Sequence, residues 1–104
     1  MSSPSLTGAQ RTKLRGRGQT MPDTQHVGRE GAAPAVVAQL DRELAQRELV
    51  KLRFTGGQDR HERAALQAAL AAATGSECVG AVGHTALFWR RGAEGSKLLA
   101  DDTG

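Results

Sequence analysis

Apolar and polar residues alternate from residue 49 onward: Val50, Leu52 and Phe54 are apolar, while Lys51, Arg53 and Thr55 are polar. A period of two marks a strand with one buried face. It predicts a strand over 49–55 whose outer face is basic. Upstream the period changes. After Pro34, Val36, Val37, Leu40 and Leu44 recur at helical spacing, and Asp41, Arg42, Glu43 and Arg47 take the other face. Proline suits the first helical position, so a helix is expected over 34–46. Gly56-Gly57 breaks the strand. Asp59 with Glu62 three residues later reads as a capping box opening an alanine-rich helix over 60–74. Its inward stripe is expected to be Leu66, Ala69, Leu70 and Ala73, with Gly75 ending it. Residues 77–82 and 85–90 read as two strands joined by a tight turn at Gly83-His84.

The ends are less clearly patterned. Residues 1–5 are Ser/Pro-rich and expected to be disordered. Residues 6–15 fit a basic helix capped by Thr7 or Ser5. Gly16 and Gly18 each cost ~1 kcal/mol relative to alanine inside a helix, so it is expected to end near them. Residues 20–27 are a poor strand candidate because Pro22 and Asp23 disfavour one. From Gly92 the chain is polar and glycine-rich, predicting a flexible tail over 92–104.

The resulting order is helix, weak strand, helix, strand, helix, strand, strand. It predicts an α/β protein of the two-layer α+β kind with a small mixed four-stranded sheet. Two strand–helix–strand passages imply parallel pairing, and the final hairpin adds an antiparallel edge. Right-handed crossovers would put their helices on one face. The opposite face, with Lys51 and Arg53, is then left for solvent or a partner.

A chain of 104 residues has room for one domain. Only 3% of its residues are aromatic, so the core rests on Leu, Val and Ala. The net charge is +3, and it is unevenly spread. Arg11, Lys13, Arg15 and Arg17 precede Pro22 without a single acid. Such a field favours polyanionic partners, the plain alternative being a solvated basic arm. Cys78 is the lone cysteine, which excludes an internal disulfide. No apolar run reaches ~18 residues and no hydrophobic leader is evident, so no membrane contact and a cytoplasmic location are expected.

The most informative candidate site is Gly28-Arg29-Glu30-Gly31, ahead of the helix at Pro34. Glycines let backbone approach a ligand closely. The helix start offers unpaired N–H groups and partial positive charge. Arg29 adds a full charge at the tip. KH domains clamp nucleic-acid backbone with a loop of this GxxG kind. The plain alternative is a turn into the helix without a ligand. His26, His61, His84 and Cys78 fit no short metal-ligand spacing, so neither metal nor cofactor is expected. Cys78 lies mid-strand in an apolar setting, where a thiol is inert, and no GxxxxGK[ST] is present. No enzymatic activity is expected. Phe88 and Trp89 should point to opposite faces and Phe54 inward, which leaves no multi-base stacking platform.

Leu6-Thr7-Gly8 with Gln10, Arg11 and Leu14-Arg15, then Val27-Gly28-Arg29-Glu30-Gly31, Leu49-Val50-Lys51-Leu52, and Val82-Gly83-His84-Thr85 with Leu87-Phe88-Trp89-Arg90 occur in order. Together they resemble the CRM domain, the chloroplast RNA splicing and ribosome maturation fold, and especially its stand-alone bacterial YhbY-type members. The resemblance spans 6–91. It implies an αβαβαββ fold similar to the C-terminal domain of bacterial translation initiation factor three. It also implies binding to structured RNA, namely precursor rRNA of the immature large ribosomal subunit (the pre-50S particle); the protein itself is expected to act as a monomer. Its RNA-binding residues would be Gly28, Arg29, Glu30 and Gly31. The basic surfaces expected to join them are Arg11, Lys13 and Arg15 on one side of the first helix, and Lys51 and Arg53 on the sheet. The chain departs from the family at Gly16-Arg17-Gly18-Gln19, in the polar segment 22–26, and at Glu30. An acid inside the loop makes a phosphate grip depend on backbone N–H groups more than on net charge. The competing reading is a non-enzymatic adaptor whose alanine-rich helix packs on a protein partner.

Overall fold

A computed structural model of the protein describes residues 6–92 together with 96, 98 and 99. Its elements are α1 (Gly8–Thr20), β1 (Gln25–Val27), α2 (Pro34–Arg47), β2 (Leu49–Phe54), α3 (Arg60–Thr74), β3 (Glu77–Val82) and β4 (Thr85–Trp89). The four strands form one mixed sheet in the order β1-β2-β4-β3. β1 runs parallel to β2, and β4 is antiparallel to both neighbours. The first strand–helix–strand passage therefore yields a neighbouring parallel pair. The second skips one position, which β4 fills on its return.

β4 explains why the sheet is covered on both sides. Ala86 and Phe88 face one way, and Leu87 and Trp89 the other, all of them buried. On the first side Phe88 shares one core cluster with Val36, Leu40 and Leu44 of α2, Leu70 of α3, and Val50, Leu52 and Phe54 of β2. On the second side Leu87 and Trp89 join Leu6, Leu14, Leu49 and Val79. The expectation of a bare second face is thus corrected: α1 lies across part of it. A β-bulge between Cys78 and Gly80 leaves Val79 without a partner in the β4 register, and Val79 packs in the second cluster.

α1 also runs farther than its glycines suggest. Thr7 and Gln10 close a capping box at its start. The helix then passes through Gly16 and Gly18 to Thr20. Gly18 is buried, and a β-carbon there would come within 2.6 Å of Leu87 Cδ2. The missing side chain lets α1 approach the sheet, and that packing offsets the helical cost of glycine. Lys51 completes the stop: its ammonium donates to Gly18 O at 3.1 Å and Met21 O at 3.3 Å. A cation at a helix C-terminus is favourable.

β1 forms despite Pro22 and Asp23, but only over three residues. Gln25 and Val27 are buried on either side of exposed His26. Gln25 donates to Val36 O at 3.0 Å. In α3, Leu66 and Leu70 turn toward the core as expected, whereas Ala69 and Ala73 are exposed. Thr74 takes the expected place of Ala73, its hydroxyl satisfied by Leu70 O at 2.8 Å. At the α2–β2 junction Glu48 adopts φ 71° and accepts from the Trp89 indole at 2.9 Å. Glu48 also bonds the Ser96 hydroxyl, and nearby Leu99 is buried in the second cluster. The disordered start expected over 1–5 lies outside the described residues, as does most of the tail expected over 92–104.

Two glycines two residues apart should respond oppositely to substitution. Nothing lies within 4 Å of a β-carbon at Gly16, so Gly16→Ala should stabilise the fold by about 0.5–1 kcal/mol. Gly18→Val drives a branched side chain into Leu87 and should cost about 1–3 kcal/mol. Urea unfolding of both variants checks the pair.

Candidate nucleic-acid interface

The GxxG segment leaves the sheet where β1 ends. Val27 O accepts from Thr55 N at 2.8 Å, so the pairing of β1 with β2 runs on one residue past the end of β2. Gly31 N donates to Gly28 O at 3.1 Å, closing a four-residue turn with Arg29 and Glu30 at its corners. Both corner residues are exposed. Gly31 has φ 61°, a conformation that glycine adopts without strain, and Leu66 of α3 packs against it.

A second loop, between β2 and α3, holds this turn in place. A β-carbon on Gly56 would meet Gly28 C at 2.6 Å and Arg29 N at 2.7 Å, so backbone packs directly on backbone. Gln58 Nε2 donates to Gly28 O at 2.8 Å, while its Oε1 accepts from Gly56 N at 3.0 Å. Arg63 in turn donates to Gln58 O at 2.7 Å. In the sequence, Gly56-Gly57 signals only a break in the strand. The contact joins residues 28 positions apart, and no local pattern signals it.

Beyond the turn, α2 starts without a side-chain cap. Ala33 occupies the cap position and Pro34 the first turn, and that turn contains no acid. The early N–H groups of α2 are thus left without side-chain acceptors, as an anion site requires. Arg29 makes no side-chain hydrogen bond or ion pair among the described residues. Glu30 turns its carboxylate back onto the loop, where Oε2 accepts from Gly28 N at 3.4 Å.

The other basic residues divide. Arg11 pairs with Glu77 at 2.6 Å. Arg15 donates to Val79 O and to Thr12 Oγ1, each at 3.3 Å. Lys13, two residues from each, lies about 200° around the helix from them, so α1 does not present the three on one side. Arg15, Lys51 and Arg53 instead line a groove of about 620 Å³ with Gly80, Gly83 and His84. It runs beside α1 on the second sheet face. No local pattern places Gly80 and His84 together in a groove, because the β-bulge and α1's extra turns create it. His84 O accepts from Phe54 N at 2.7 Å, so the groove reaches the same sheet end as the GxxG turn. Asp23 meets His26 at 2.8 Å and the groove residue Arg53 at 3.6 Å. The hydrogen bond with His26, helped by Arg53, holds the Asp23 carboxyl below the usual carboxylate range.

Phe54, Phe88 and Trp89 are all buried, so none of these three rings is offered at the surface. Arg91 lies 5.6 Å from the Trp89 ring centroid. Burial pushes the Cys78 thiol up from its ordinary value, away from nucleophilic use. Among the described residues no cluster of three or more His, Cys, Asp or Glu side chains gathers, and no helix is long and apolar enough to cross a membrane.

No curated protein matches the sequence. One similar fold is the solution structure of a hypothetical Staphylococcus aureus protein described as a candidate RNA binder. It shares 28% identity, superposes with a TM-score of 0.74, and the match covers 84% of this chain and 90% of that one. The CRS1/YhbY (CRM) domain family, a family of RNA-binding domains that is not enzymatic, matches residues 6–90. With that match extending from the residue before Thr7 to the end of the sheet, the chain belongs to the CRS1/YhbY (CRM) domain family.

Proposed function

We propose that the protein binds structured RNA by its sugar-phosphate backbone, and that this RNA is precursor rRNA of the immature large ribosomal subunit. It acts in the cytoplasm as a monomer that assists subunit assembly. The observation that carries this reading is the 28–31 turn. Its exposed Arg29 stands at the uncapped start of α2, and Gly56 and Gln58 fix its backbone. Family membership and the Staphylococcus neighbour support RNA as the ligand. The groove gives a second stretch of backbone a place to lie. Lys51 spends two of its three N–H donors on α1 and keeps one. With every ring buried, affinity comes from counterion release and specificity from RNA shape.

A second reading draws support from α3, whose outward side is lined by exposed Ala64, Ala65, Ala68, Ala69, Ala72 and Ala73. An adaptor would dock a protein there. Salt separates the two. Phosphate binding should lose roughly 0.7–0.9 log units of affinity per contact for each tenfold rise in salt, whereas an alanine interface barely responds.

Arg29→Glu should weaken binding to a structured rRNA fragment by about 1–3 kcal/mol with an unchanged far-UV spectrum. Unchanged affinity in the folded variant removes the loop from the site. Gly56→Ala should weaken the same binding although residue 56 is not a proposed RNA contact, because the 28–31 backbone must shift to admit the methyl group. Fluorescence anisotropy measures both. Crosslinking in cells should recover large-subunit precursor rRNA; recovery of background RNA alone would favour the adaptor.

A further inference from the structure

We propose that Glu30 is a built-in competitor for the loop's anion site, an internal brake that lowers the loop's affinity for any RNA phosphate. This rests on the reading of the 28–31 turn as the RNA grip. Glu30 is the only acid between Val27 and Asp41, and it stands in the turn ahead of α2. Its carboxylate bonds the Gly28 amide and so takes up the kind of donor a phosphate oxygen needs. A β-carbon on Gly28 would lie 2.8 Å from Glu30 Oε1, so glycine at 28 is what lets the carboxylate fold down. Arg29 beside it takes no part in this contact.

A carboxylate tethered two residues away acts at high effective concentration. An incoming phosphate must displace it, and the apparent affinity falls by the fraction of loops in which the amide is free. A single phosphodiester gains one charge-assisted bond and loses another. A folded RNA brings neighbouring phosphates that also meet Arg29 and the groove, and that surplus drives Glu30 out. Displacing Glu30 costs every RNA the same, so only one that also gains those further contacts binds tightly.

The test compares Glu30→Ala, Glu30→Gln and Arg29→Ala with the parent protein on two probes: an RNA hairpin and oligouridine of equal length. Glu30→Ala should bind both probes more tightly, each by about the same 3–10-fold. Glu30→Gln, which keeps an acceptor for the Gly28 amide, should fall between parent and alanine. The Gly28 amide resonance of the RNA-free protein should move in Glu30→Ala. Equal gains for both Glu30 variants on both probes, with Gly28 unmoved, would overturn the proposal in favour of simple loss of a repulsive charge. No gain at Glu30 with weakened binding in Arg29→Ala would also overturn it and leave the loop as the grip. Indifference of binding to all three variants would remove the loop, and this proposal with it.

Discussion

The contact on which the sheet end depends is backbone against backbone. Gly56 sits so close to Gly28 and Arg29 that no β-carbon fits between them. Gln58 bridges the same two loops through both ends of its amide. A turn with two exposed corners and two glycines would otherwise sample many conformations. Pinned in this way, it holds its shape without a ligand. Ordering entropy is then met by folding rather than by binding.

The second constraint is the double coverage of β4. With Phe88 on one side and Leu87 and Trp89 on the other, the central strand needs helices on both faces. α2 and α3 supply one layer and α1 part of the other. Since α1 covers only part, a groove remains beside it, floored by small residues at Gly80 and Gly83 and edged by cations. The gap in packing and the basic surface thus have one origin. Lys51 serves both, tying down α1 while keeping a proton at the groove.

Much of the fold was legible because local chemistry and tertiary packing agree. The alternation at 49–55, Pro34 at a helix start, the Asp59–Glu62 box and the Gly83-His84 turn each mark their element. Misreadings arise where distant contacts override local preference. Gly18 looks like a helix breaker until Leu87 is seen against it. β1 looks polar because only two side chains of its three residues need burial. Ala69 and Ala73 match the helical period, yet Thr74 is buried because Leu70 O satisfies its hydroxyl. In the candidate site the GxxG turn could be read directly. Its supports, Gly56 and Gln58, could not, since their meaning depends on β1 pairing with β2.

The most direct test of the central claim is an amide map of the protein titrated with a structured rRNA fragment. The account predicts that resonances of residues 28–31, 55–58 and the first turn of α2 move together, joined by those lining the groove beside α1. Shifts confined to the outward alanine side of α3, with the two glycine loops silent, would contradict it.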